Sequence, residues 1–169
     1  YFEAFAKADT IVFDKTGTLT EAQPKLARVI PTDGWSEDEV LRFAACLEEH
    51  FPHPVARAVV AAAQERGLEH RERHAAVEYI VAHGIASALD GKRAVIGSAH
   101  FVFEDEHAHL DSEALSRVEA EMEGLSPLFL AVDGEVVGVL GIEDPLKPGV
   151  KEAIAELHSL GFKHIVMLT

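Results

Sequence analysis

Residues Ile11-Val12-Phe13 form a short run of β-branched and aromatic side chains that stops at a carboxylate, Asp14. Such a run reads as a buried strand that presents an acid at its C-terminal end. In open α/β sheets that end is where ligands bind. The six residues that follow, Lys15-Thr16-Gly17-Thr18-Leu19-Thr20, narrow the chemistry. An aspartate carboxylate can attack phosphorus and form a covalent aspartyl phosphate when charge repulsion is relieved, and Lys15 is placed to relieve it. Gly17 permits a tight turn, while Thr16, Thr18 and Thr20 supply hydroxyl and N–H groups for phosphate oxygens. A polar turn after a strand accounts for any one of these residues, but not for all seven together.

The stretch Asp14-Lys15-Thr16-Gly17-Thr18-Leu19-Thr20 resembles the phosphorylation motif of P-type ATPases. The resemblance implies that Asp14 takes the γ-phosphate of ATP and later releases it to water, and that the Thr16 backbone carbonyl joins Asp14 in binding Mg²⁺. Haloacid-dehalogenase-type phosphatases usually carry a second aspartate two residues after the nucleophile, as general acid and base. Thr16 cannot do that work, and a slowly decaying phosphoenzyme suits a pump that couples chemistry to conformational steps.

At 169 residues and 48% apolar, the chain is long enough for one or two folded domains. A net charge of −14 argues against nucleic acid or an anionic membrane surface as the main partner. The single cysteine, Cys46, sits in a helical pattern among Ala44, Ala45 and Leu47, which excludes an intrachain disulfide and predicts a buried thiol. No apolar stretch approaches the roughly 20 residues of a membrane span, and the start of the chain lacks a signal-peptide layout.

After a short amphipathic lead-in over residues 1–10, Pro24 and Pro31 bracket an extended segment, with a hinge expected near 21–24. Ser36 and Glu39 form a capping box for a helix to about Glu49, with Val40, Leu41, Ala44 and Leu47 on one face. A second helix begins after Pro54 and ends at Gly67. Between the helices, Glu48-Glu49-His50-Phe51-Pro52-His53-Pro54 makes a rigid corner suited to a flat base. The period then becomes alternating: strands are predicted over 77–82, 85–89, 93–96, 128–132 and 136–142, with Asp90-Gly91 and Asp133-Gly134 as hairpin turns and a helix at 112–123. The last segment reads as a helix over 149–160 closed by Gly161, then a buried strand over 164–168.

Parallel signals at both ends and antiparallel signals between them predict two domains. Residues 1–22 and 144–169 are expected to form part of a haloacid-dehalogenase-like parallel α/β phosphorylation domain. Residues 23–143 are expected to form an inserted α+β nucleotide-binding domain on an antiparallel sheet. This division matches the cytoplasmic region of the family.

His53-Pro54, followed by Val55-Ala56-Arg57-Ala58-Val59, is similar to the nucleotide-binding signature of heavy-metal-transporting P-type ATPases. The resemblance implies that His53 orients adenine and that Glu48 contacts its edge, with Gly84 and Gly97 as further ATP contacts where a missing side chain lets the backbone approach the ligand. The sequence departs from the family at Phe51 and Pro52, where Ser-Glu is frequent, at Ala82 in place of a glycine, and at Ser98 in place of an asparagine. Asp144-Pro145-Leu146-Lys147 resembles the second hinge, whose Asp144 and Lys147 either fix hinge closure or meet phosphates and ribose. Val166-Met167-Leu168-Thr169 resembles the strand that leads to a phosphoryl-binding threonine, Thr169. A charge-neutralising lysine and a second Mg²⁺ carboxylate are expected beyond residue 169, so these residues are expected to bind ATP but to be catalytically incomplete alone.

Ten histidines, among them the pairs His70/His74 and His107/His109, lack cysteine or carboxylate partners at ligand spacing and read as surface groups. The expected function is therefore the cytoplasmic ATP-binding and aspartyl-phosphorylation region of a heavy-metal cation pump in the cell membrane. Its implied partners are ATP with Mg²⁺, the transmembrane, actuator and downstream phosphorylation segments of the same pump, and a transported metal ion bound elsewhere. A freestanding phosphatase of the wider superfamily and a non-catalytic nucleotide- or metal-binding regulator are the competing readings.

Overall fold

A computed structural model describes residues 8–32, 34–68, 78–80, 84–89 and 91–168. In chain order the strands are β1 (Thr10–Asp14), β2 (Lys25–Pro31), β3 (Glu78–Ile80), β4 (Gly84–Leu89), β5 (Lys92–Gly97), β6 (Ser126–Val132), β7 (Glu135–Glu143) and β8 (His164–Leu168). The helices are α1 (Glu37–Glu48), α2 (Pro54–Glu65), α3 (Ser112–Glu121) and α4 (Val150–Ser159). Two further helical turns, over Lys15–Leu19 and His100–Asp105, have no counterpart in the periodicity of the sequence. The chain divides into two compact units, Tyr1–Pro24 with Asp144–Thr169, and Lys25–Glu143.

The Lys25–Glu143 unit is built on a six-stranded antiparallel sheet ordered β2-β7-β6-β5-β4-β3. Strand alternation sends successive side chains to opposite faces, and here both faces are covered. Ile85, Ile96, Leu130 and Leu140 join Val40, Leu41, Leu47 and Val59 of α1 and α2 in one cluster. Val95, Phe129, Ala131 and Val139 join Phe101, Val102, Val118 and Met122 in the other. Cys46 is buried in the first cluster. At Gly138 a Cβ would come within 2.6 Å of the Val40 methyls, so glycine lets α1 approach the sheet closely.

Local signals set the ends of these elements. Ser36 caps α1 in a reciprocal capping box with Glu39, and Asp111 caps α3 by accepting from Glu113 and Ala114. The β6–β7 hairpin turns at Asp133 and Gly134, both at positive φ (55° and 82°), as a two-residue turn of the primed kind requires. Ala82 and Asp90, together with the outer parts of the strand expected over 77–82, lie outside the described residues, as do His70 and His74.

In the other unit, β1 and β8 pair in parallel, Phe13 opposite Met167 and Asp14 opposite Leu168. The parallel pairing agrees with the expected class, but the burial does not. Val12, Met167 and Leu168 are 52%, 51% and 60% exposed, and α4 buries none of its residues. An apolar run creates a demand for cover on both faces, but the described residues of this unit cover little of it.

Candidate functional site

A cavity of about 210 Å³ opens in the Lys25–Glu143 unit where the α1–α2 corner meets the ends of three strands. Glu48, Phe51, His53 and Val55 line it from the corner. Gly84 and Ile85 of β4, Ile96 and Gly97 of β5 with the following Ser98, and Leu128 of β6 line it from the sheet. Glu48, His53, Gly84 and Gly97 thus converge although they lie far apart in sequence. Pockets that enclose drug-sized ligands run to roughly 300–1,000 Å³, so this one has room for a ring system and not for a whole nucleotide.

The corner owes its shape to its caps. His53 is the N-cap of α2, its Nδ1 accepting from the Val55 amide at 3.4 Å, and Pro54 occupies the first turn. The Phe51 amide donates to the Glu48 carbonyl at 3.0 Å, and Arg57 donates to the Pro52 carbonyl at 2.8 Å. Glu48 is the last residue of α1 and is 7% exposed. Burial pushes its carboxyl up to about 7, because desolvation disfavours the charged form.

Gly84 and Gly97 are directly opposite each other in the β4–β5 pair. Packing gives a reason of its own for glycine at 84. A Cβ there would meet the Ile96 carbonyl oxygen at 2.4 Å and the Phe101 ring at 2.5 Å. Packing between neighbouring protein groups therefore demands the missing side chain, while the Gly84 backbone lines the cavity. Phe51 and Ser98, two of the departures from the family pattern, line the cavity as well.

In the other unit the exposed Asp14 ends β1, and the chain turns through Gly17 at φ +79°. The turn is braced from 144–147. Thr20, 3% exposed, donates its hydroxyl to Asp144 Oδ2 at 2.5 Å and accepts from the Gly17 amide at 3.2 Å. The Lys147 amide donates to the Leu19 carbonyl at 2.9 Å, the Glu21 amide to the Pro145 carbonyl at 2.9 Å, and the Lys147 ammonium to the Gly17 carbonyl. Asp144 Oδ1 stays buried without a hydrogen-bond partner. The Thr20 hydroxyl, expected to serve phosphate, is committed to Asp144 instead. Thr169 lies outside the described residues.

Among the described residues no three histidine, cysteine or carboxylate groups cluster as a metal site. His109 pairs with Glu135 at 3.3 Å and is mostly exposed. No helix among the described residues is long and apolar enough to cross a membrane.

The pattern of the haloacid dehalogenase-like hydrolases matches residues 8–169. The chain belongs to this hydrolase family. The chain is 41% identical to a copper-exporting P-type ATPase of Legionella pneumophila, over 99% of this chain and 22% of that protein. It therefore spans about a fifth of the length of that relative. It superposes on a zinc-transporting PIB-type ATPase with a TM-score of 0.67 and 30% identity, over 95% of this chain and 25% of that one. The N-domain of a copper-transporting P-type ATPase covers 70% of this chain, with 99% of its own chain matched, at a TM-score of 0.64 and 26% identity.

Proposed function

We propose that the chain is the cytoplasmic ATP-binding and aspartyl-phosphorylating region of a heavy-metal cation-transporting P-type ATPase. The observation that carries this reading is the convergence of Glu48, His53, Gly84 and Gly97 on one base-sized cavity, in a chain whose Asp14 ends a parallel strand. Lys25–Glu143 acts as the nucleotide-binding domain, and the remaining residues act as part of the phosphorylation domain. ATP, the transported metal and the rest of the pump are its partners. Copper and zinc relatives support the heavy-metal class alike.

Asp14 attacks the terminal phosphorus of ATP. One carboxylate oxygen forms the new O–P bond as the bond to the ADP oxygen breaks, and Lys15 offsets charge. Thr169 is assigned to the transferred phosphoryl group. The Asp14 carboxylate and the Thr16 carbonyl are hard oxygen donors of the kind Mg²⁺ takes, though fewer than its octahedral shell needs. That ion would supply charge neutralisation at the phosphates. Glu48 and His53 hold the base, with the Gly84 and Gly97 backbones beside it. Asp144 and Lys147 hold the Asp14 turn, which their hydrogen bonds support over direct contact with nucleotide.

In a full-length pump carrying this region, Asp14→Asn should abolish acid-stable phosphoenzyme and leave ATP binding intact, since the amide keeps the shape and loses the nucleophile. Acid-quenched labelling with γ-labelled ATP reads this directly. Label that persists on the variant removes Asp14 from the mechanism.

A further inference from the structure

Val55, Ile85, Ile96 and Leu128 give the cavity apolar walls, and Glu48 faces it as a buried acid. Three features oppose a negative charge at this point. Burial strips water from the carboxyl. The C-terminal end of a helix carries partial negative charge, and the last turn of α1 has no basic residue to offset it. Among the described residues no ion pair or hydrogen bond reaches the Glu48 side chain, and desolvation alone shifts its titration upward.

A carboxylic acid offers one O–H donor and one carbonyl acceptor, where a carboxylate offers acceptors alone. The outer edge of adenine sets an acceptor, N1, beside a donor, the exocyclic amine. Guanine sets a carbonyl oxygen, O6, where adenine has its amine and a donor, N1–H, where adenine has its acceptor, with a second donor, the 2-amine, on the far side of N1. We propose that Glu48 reads the base as a neutral acid, its O–H donating to adenine N1 and its carbonyl oxygen accepting from the exocyclic amine. This rests on the reading of the cavity as a base subsite and adds the protonation state that makes it selective. A carboxylate would instead match the two adjacent donors of guanine, N1–H and the 2-amine, and leave adenine N1 without a donor in a dry site, so loss of the acid proton moves the preference from adenine toward guanine.

Among the described residues, other charged or titratable groups near Glu48 are few. His53 lines the cavity from the start of α2. Glu49 and His50 follow Glu48 in the chain and lie 3.5 Å from each other. Arg57 of α2 is engaged by the Pro52 carbonyl. The cavity-lining residues contributed from β4, β5 and β6 carry no charge.

Adenosine and guanosine are the probes, because neither carries a phosphate to titrate. They are titrated into the 169-residue chain while amide NMR shifts are followed at 48–55, 84 and 97. Adenosine affinity should fall about tenfold from about pH 6 to about pH 8, as the neutral acid drops from most of the population to about a tenth of it. Preference for adenosine over guanosine should narrow over the same range. Glu48→Gln presents the same donor and acceptor at every pH, so it should bind adenosine well and lose the slope. A slope that the Gln variant keeps in full overturns the assignment. Glu48→Ala should bind weakly throughout. Adenosine affinity that rises with pH, or a Gln variant as weak as the Ala variant at about pH 6, overturns the neutral-acid assignment. No adenosine-induced shifts at these residues at any pH overturns the base-subsite reading itself.

Discussion

Glu48, His53, Gly84 and Gly97 are held by side-chain packing on both faces of a sheet, whereas the 15–20 turn that follows Asp14 is held by a web of hydrogen bonds. In Lys25–Glu143, α1 and α2 cover one face, and α3 with the His100–Asp105 turn covers the other. In the other unit Val12, Met167 and Leu168 stay about half exposed or more, and the order comes from Thr20, Asp144 and Lys147 around the 15–20 turn. The contrast follows the chemistry each region is suited to. A slot for a flat, largely apolar ring needs dense walls, whereas a turn that handles phosphate needs polar groups near solvent, positioned by directional bonds.

If packing rules the first region, Gly84→Ala should do the most damage. The added methyl collides with a backbone oxygen and with a buried ring that cannot turn away, so a loss of about 3 kcal/mol is expected in chemical denaturation, at the upper end of overpacking costs. A loss below about 1 kcal/mol would mean that β4 and β5 yield easily and that the walls are softer than described.

Glu48 tests the same region with the opposite sign. Its carboxyl, raised from 4.5 to about 7 in the fold, takes up a proton on folding, so stability falls as pH rises through that window and the cost is fully present above it. Glu48→Gln should therefore raise stability by at most about 3 kcal/mol at about pH 8 and by little at about pH 4. An equal effect at both pH values would point to packing and away from charge burial.

Thr20→Val should have the smallest effect and should stay local. The valine keeps the volume and removes the hydroxyl from Asp144 Oδ2 and the Gly17 amide, at a cost of about 1–2 kcal/mol. Amide exchange should quicken over 15–20 while β5, β6 and β7 keep their protection. Equal loss of protection in those strands would erase the distinction between the two regions.

Much of the architecture is legible because its signals are local. The Ser36–Glu39 capping box, the Asp133-Gly134 turn and Gly161 mark their elements from sequence alone. The burial of Glu48 was also within reach: it falls seven residues after Leu41 and four after Ala44, on the apolar stripe of α1. The pairing of Gly84 with Gly97 and the Phe101 ring behind Gly84 depend on contacts that no local period encodes. The burial expected of β1 failed for a related reason. A strand's composition states how much cover it wants, and the cover comes from elements elsewhere in the chain.

The cap at the start of α2 also fixes a direction. Because the Val55 amide points at Nδ1 of His53, that nitrogen keeps its lone pair and the ring proton resides on Nε2. The imidazole is therefore not a neutral wall that can turn either way: its free nitrogen is a donor. A group that bonds to this ring nitrogen must bring a lone pair, whether a ring nitrogen, a sugar oxygen or a water.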